Sequence, residues 1–564
     1  MRSRTILGLC CAVLFAACSP AAQGPAENRD GAQTGPVIGP RVLRLGSREE
    51  PRGGLVQLTT TGSPEYVSAF SAGLTTFNAD AVNQPVVAQK VPRVEDGDWR
   101  VLPDGQMEVT WKLRPTSWHD GTPLTAADYE FGVMLLLDPE IPNVGSGGYT
   151  ARSIAGASAP DPQTVVVRWR QPYLFADSAL ATALPAIPRH LMWDLYQQGD
   201  KAVFRNSPYW MTEYVGIGPF KLVDWAGGSH VEGVAFDHYV LGRPKIDRII
   251  IRILPDPRTL TVNLIAGDID FIPIGQIGAA ELKVIREAWD PIGGGQAIPI
   301  IEGQRQILPQ LRDLTTPWAR DVRVREAMAY QLDRQAMADI LQQGFTLPAD
   351  AFITPKDPTW PLLEQRGFKR RPYDPAEAQR LMAAAGWTRG GDGLYRDGGA
   401  QTLAMEVRGG SGFTQELTVV AAQWKDAGLD STIFVIPDTT ANERELQNSS
   451  RGVQISSGGG YDAYTAAAMG TAENRWAGAN RGGYRSAAYE RLVDEWRANA
   501  FDVSRRLALQ ADIIKFLHDD VAYIPLYYNV RGQAWSKAVR GPGPFEVPLP
   551  PLQSLWNVHQ WEVQ

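Results

Sequence analysis

Residues 107–134 read MEVTWKLRPTSWHDGTPLTAADYEFGVM. The first part alternates. Met107, Val109, Trp111 and Leu113 fall on one face and Glu108, Thr110 and Lys112 on the other, the period of a half-buried strand. His119-Asp120-Gly121 then reads as a turn. Thr125-Ala126-Ala127-Asp128 has the pattern of a capping box, with Asp128 three residues past the threonine. Phe131, Met134 and Leu135 follow at helical spacing. Strand, turn and capped helix therefore succeed one another inside this one stretch.

Upstream, Arg2 and Arg4 form a positive n-region, and Ile6 to Ala17 is an apolar run too short to span a bilayer. It ends in Phe15-Ala16-Ala17-Cys18. Small residues before a cysteine resemble a bacterial lipobox, with Phe15 where leucine is usual. That resemblance implies cleavage before Cys18 and lipid attachment to its thiol; the alternative is an ordinary signal peptide cut nearby. Either way the chain is expected to leave the cytoplasm. The stretch up to Pro40 is rich in Ala, Gly, Pro and polar residues and reads as a flexible tether.

The three cysteines, Cys10, Cys11 and Cys18, all lie in the leader region. The chain beyond Cys18 thus has no disulfide and no thiol nucleophile, and core burial must stabilise it. A chain of 564 residues can bury a large core and form two or more domains. The net charge of −7 offers no basic footprint for nucleic acid. Seventeen Trp and eighteen Tyr are present; most should be core, and some should line a cleft.

Downstream, Val165 to Trp169 is a strand candidate, and Lys245 to Leu254, with five isoleucines, reads as a buried strand. Asp321 is expected to cap one helix running through Leu341, ended by Gly344. Asp374-Pro375-Ala376-Glu377 starts another, which stops at Gly386. Leu417 to Asp426, Ala488 to Trp496 and Arg505 to Asp519 are further helices, and Ser431 to Ile436 a strand. The end of the chain, Pro548 to Gln564, is Pro- and Trp-rich.

Several of these segments resemble, in order, the solute-binding proteins of ATP-driven importers in the dipeptide, oligopeptide and nickel group (solute-binding family 5). The matching residues are Leu113-Arg114-Pro115, Trp118 to Ala126 with Asp128, and Tyr214 to Trp225 (YVGIGPFKLVDW), where Ile217 replaces the usual threonine. Gly267 to Asp270, Val324-Arg325-Glu326-Ala327 through Asp333-Arg334, the Asp374-Pro375…Gly386-Trp387 unit and Ile524 to Tyr528 also match. The resemblance covers about Arg41 to Tyr528.

What the resemblance implies is an α/β, two-lobed, periplasmic-binding-protein-like fold of type II, hinged, with an extra domain inserted in lobe one. The expected boundaries are a signal peptide at 1–17 and a tether at 18–40. Lobe one is 41–66, 201–300 and 525–564, the inserted domain 67–200, and lobe two 301–524. It implies no catalysis and no cofactor. The partners are a peptide or other small ligand, permease and ATPase subunits, and the membrane through the N-terminal lipid. A monomer in the periplasm or on the outer face of the cell membrane is expected, and no nucleic acid.

Enzyme signatures are weak. There is no G-x-S-x-G elbow, Walker A loop or His-Glu-x-x-His, and the six histidines include no pair at i, i+3 or i, i+4. The glycines of Tyr214–Trp225 are not followed by the Lys-Ser/Thr of a phosphate loop. A carboxylate pair formed in space, as in a secreted glycosidase, is the remaining enzymatic alternative.

In oligopeptide binders of this family, one stretch of lobe two carries an arginine, an aromatic residue and an aspartate that meet the peptide's ends and side chain. Here the corresponding positions are Val453, Ser456 and Gly459. Gly458-Gly459-Gly460 is read as leaving free amides and room for a ligand. Tyr66, Tyr461, Asp462, Tyr464, Arg475 and Trp476 are the candidate ligand-binding residues: aromatic rings as flat apolar surfaces, Asp462 and Arg475 as charged groups. The expectation is a modified or longer peptide, or another solute such as a sugar derivative. Asp462 has a purely structural alternative as the cap of a following helix.

Overall fold

The computed structural model describes residues 39–51, 64–141, 153–178, 183–440, 444–476, 478–499, 501–543 and 553–564. The leader, the tether and Cys18 lie outside the described residues. Met107–Lys112 is a strand with Met107, Val109 and Trp111 fully buried and Lys112 exposed. The helix Ala126–Leu137 begins where the capping box puts it: the Asp128 carboxylate accepts from the Thr125 amide at 2.8 Å and hydroxyl at 3.2 Å.

Two sheets carry the fold. In chain order their strands are β1 (Val42–Ser47), β2 (Trp99–Val101), β3 (Met107–Lys112), β4 (Ile154–Asp161), β5 (Thr164–Trp169), β6 (Phe220–Ala226) and β7 (His230–Ala235). They continue with β8 (Arg248–Ile253), β9 (Phe271–Ile277), β10 (Gly295–Pro309), β11 (Ala404–Gly410), β12 (Asp430–Ile436), β13 (Val453–Ser457) and β14 (Ile524–Ser536). The small sheet is antiparallel, β2-β3-β5-β4. The large one has ten strands in the order β12-β11-β13-β10-β14-β9-β1-β8-β7-β6.

The long central strands β10 and β14 pair antiparallel over most of their length. Strand β13 joins β10 only from Arg305 to Pro309, and β9 joins β14 only at its far end, through Gly532, Ala534 and Trp535. From Ile300 to Gly303 on β10 and Asn529 to Arg531 on β14, the sheet is two strands wide. The register slips within this neck, between Ile301 and Gly303, and again just past it, between Gln304 and Gln306. Bulges bend and twist a strand locally, so the sheet flexes most easily where it is narrowest.

Separate cores flank the neck. One packs Leu43, Leu45, Phe70, Ile249, Ile251 and Phe271 with Trp561, whose ring lies 4.9 Å from that of Phe271. The other packs Trp318, Met328, Val407, Trp424 and Val453. A third core backs the small sheet with Trp99, Trp111, Trp118 and Trp169, and it takes in Phe236 and Tyr239 from beyond residue 200.

The His119-Asp120-Gly121 turn is a clamp between segments far apart in sequence. His119 is buried; its Nδ1 accepts from the Gly216 amide at 3.2 Å and its Nε2 faces the Gly218 carbonyl at 3.0 Å. A Cβ on Gly216 would lie 2.0 Å from the Phe70 carbonyl oxygen, so glycine is required by close backbone approach. Two matching motifs of the sequence thus dock on each other.

One expected helix is two. Asp321 caps Val322–Tyr330, and Asp333 caps a second helix, Arg334–Leu341, by accepting from the Ala336 amide at 2.9 Å. A short carboxylate offers the backbone a local partner and starts a new helix where periodicity alone continues the old one.

Candidate functional site

The loop following β5 faces the end of the Ala487–Ala498 helix across a cavity of about 430 Å³. Gln171 to Phe175 form one wall; Asp462, Trp496, Arg497 and Ala498 form the other. Tyr173 stacks on Trp169 at 4.7 Å and meets Phe175 edge-on at 6.0 Å. Phe175 is 53% exposed. Opposite, Trp496 lies 5.3 Å from Tyr461, whose ring meets Phe352 at 5.2 Å. The Trp496 indole N–H is buried and donates to no acceptor among the described residues. The one carboxylate on the wall, Asp462, accepts from Arg497 at 3.1 Å, each side chain about a third exposed. Flat apolar surface and one charge pair suit a solute with an apolar group and hydrogen-bonding atoms.

Beside the cavity the small-sheet domain and the second lobe touch directly. Trp99 meets Phe501 edge-on at 5.2 Å. Burial favours the neutral form of Arg506, and the nearby Tyr461 and Asp177 pull the other way. Burial likewise raises the Asp177 carboxyl above its ordinary range, against the Ser178 hydroxyl, the Asn83 amide and the Arg506 charge.

The candidates from sequence fall in different places. Asp462 lines the cavity, and Tyr461 packs behind it against Trp496. Tyr464 is buried, its hydroxyl on Gln306 Oε1 at 2.8 Å and its ring stacked 5.4 Å from Tyr523. Tyr66 is buried in the first core and donates to the Glu49 carbonyl at 3.1 Å. Arg475 is exposed and Trp476 half-buried, both with left-handed backbones, φ 54 and 59. The Trp476 carbonyl accepts from Asn448, the last residue of the short helix Arg444–Asn448 that precedes β13. Tyr461 follows the other end of that strand, so the structure does not group Arg475 and Trp476 with Asp462.

Val453 is fully buried, and Ser456 donates to the Ser457 carbonyl at 3.1 Å. The triple glycine is less open than expected. The Gly458 amide donates to the Gln304 carbonyl at 3.0 Å, and a Cβ on Gly459 would sit 2.6 Å from Phe352 Cβ. Phe352 fills the room, and one amide is spent on β10. Tyr173, Phe175, Trp496 and Arg497 were not singled out from sequence. The available signal was Gln171-Pro172-Tyr173-Leu174-Phe175, an aromatic pair beside a proline just past a strand.

Residues 91–479 match the model of bacterial extracellular solute-binding proteins, family 5 middle. The chain belongs to this family. A putative ABC transporter peptide-binding protein of Brucella ovis is 26% identical over 292 residues, 51% of each chain. The chain thus matches about half the length of the curated relatives it resembles. Among solved structures, NikA from Brucella suis with Fe(III)-EDTA superposes with a TM-score of 0.71 at 20% identity, covering 92% of this chain and 100% of that one. An oligopeptide-binding protein from Thermus thermophilus with a pentapeptide gives 0.70 at 19%, covering 93% and 97%. The fold is the two-lobed, hinged α/β fold of these binding proteins.

Proposed function

We propose that this protein is the extracytoplasmic solute-binding subunit of an ABC importer. It captures a peptide or peptide-like small solute between its lobes and delivers it to a membrane permease, with ATP used by partner subunits. The observation that carries the reading is the aromatic-walled cavity between two bodies that a two-strand neck allows to move. Closure follows when the ligand binds the closed form more tightly than the open one. Family membership and the peptide-binding and chelate-binding relatives support it. The protein acts as a monomer and does not convert its ligand; a carboxylate-pair hydrolase is supported by nothing at the cavity, whose single carboxylate is paired to an arginine.

A thermal-shift screen of peptides and small hydrophilic solutes tests the site, because a ligand of the folded state raises apparent stability by mass action. The best ligand should bind Phe175→Ala and Trp496→Ala at least about tenfold more weakly, the scale of truncating an aromatic anchor. Unchanged affinity in both would remove the cavity from the account.

Attachment to the membrane through a lipid on Cys18 is part of the same proposal. Cys18→Ser should move the protein from the membrane fraction to the soluble one; equal retention would refute the anchor.

A further inference from the structure

A second cavity, of about 650 Å³, opens on lobe two beyond the end of β10. Four arginines line it, Arg312, Arg320, Arg325 and Arg485, with a single carboxylate, Asp520. That carboxylate is already engaged. Its Oδ1 accepts from Arg325 at 3.0 Å and its Oδ2 from the Tyr484 hydroxyl at 2.7 Å. Two acids next in sequence to lining residues are also occupied: Asp313 accepts from the Thr315 amide and hydroxyl, and Asp321 pairs with Arg323 at 2.6 Å.

Three guanidinium groups therefore have no carboxylate partner among the described residues. Arg312 is half-buried and donates only to neutral oxygens, including the carbonyls of Asn448 at 2.6 Å, Arg481 at 2.7 Å and Gly470 at 3.2 Å. Burial, and then the like charge of Arg485, push its pKa below the usual arginine value. Among the described residues Arg485 donates to the Met469 sulfur alone, at 3.6 Å. Arg320 is exposed and makes no ion pair among the described residues. Gly483 completes the wall: its φ is +71, and a Cβ there would lie 2.3 Å from Arg312 Cγ. Elsewhere on this lobe, arginines meet acids, as in Arg334–Asp350 and Arg371–Glu326, each at 3.1 Å. Concentrated, unpaired positive charge in a concavity of a protein with net charge −7 is the pattern of a site for a multiply charged oxyanion.

We propose that this cavity binds a phosphate group through Arg320 and Arg485, with Arg312 fixed behind them as a permanent positive wall. The group is carried either by a soluble phosphate or by an anionic phospholipid headgroup. The exposed Leu314 at the rim, 69% accessible, suits either a solvent-facing edge or the glycerol region of a lipid.

The test uses the full chain and an Arg320→Ala/Arg485→Ala double variant. Both side chains are exposed, so the variant should keep the melting temperature of the parent. One arm titrates inorganic phosphate and glycerol phosphate by calorimetry at low salt. The other measures co-sedimentation with phosphatidylcholine vesicles with and without phosphatidylglycerol, both proteins also carrying Cys18→Ser to exclude the anchor. Binding in either arm, weakened at least about tenfold in the double variant, is the expected result. The arm that responds identifies the source of the phosphate. Absence of binding in both arms, or equal binding by parent and double variant, overturns the proposal.

Discussion

Single side chains set two measurable properties. The first is acid sensitivity. Burial, opposed by the bond to Gly218, lowers the His119 pKa from 6.5 to about 4. The unfolded chain therefore binds the proton first, and stability falls as pH drops from about 6.5 towards 4, levelling below that. The slope is about 1.4 kcal/mol per pH unit for each such group. His518 and His559, lowered by burial to about 3 and about 4, add to it. In denaturant melts across this window, His119→Gln should flatten the dependence by about one proton; an unchanged slope would mean that His119 is not held neutral. The second property is ligand choice. Asp462 is the cavity's only carboxylate and Arg497 already holds it. Calorimetry with matched free and N-acetylated peptides should show little difference. A loss of about 2 kcal/mol or more on acetylation, the scale of a broken charge-assisted pair, would show that an acid does capture the amine.

Local elements were largely legible in the sequence, because their signals are local. Alternation at Met107–Leu113, the Thr125–Asp128 capping box and the Asp374-Pro375 start all lie within a turn or two of what they specify. The break after Tyr330 was missed because apolar spacing runs through it, while the Asp333 carboxylate that starts the next helix looks like any polar residue on a helix surface. Asp333→Ala should cost about 1 kcal/mol in urea unfolding, the usual worth of an N-cap; no measurable loss would show that packing alone holds the second helix. The cavity was half legible. Tyr461 and Asp462 stood out beside the triple glycine, but Tyr173, Phe175 and Trp496 face them only after the small-sheet domain and lobe two are brought together, and no spacing encodes that. The same limit explains Gly459: its missing side chain reads as space until Phe352 arrives from far along the chain.

At the scale of the molecule, two cores hang on β10 and β14, and the bulged neck between them is the narrowest part of the sheet. Trp99 on Phe501 and the aromatic cavity join the small-sheet core to the segments around the Ala487–Ala498 helix. In the proposed function this arrangement captures a solute by closure, without a reacting group. Mass spectrometry of the intact complex, formed with a mixture of short peptides and then dissociated, tests that account most directly. One solute should be retained per chain and released with its mass unchanged, however long the incubation. Retained peptides that emerge shortened, at a rate proportional to protein concentration, would contradict it.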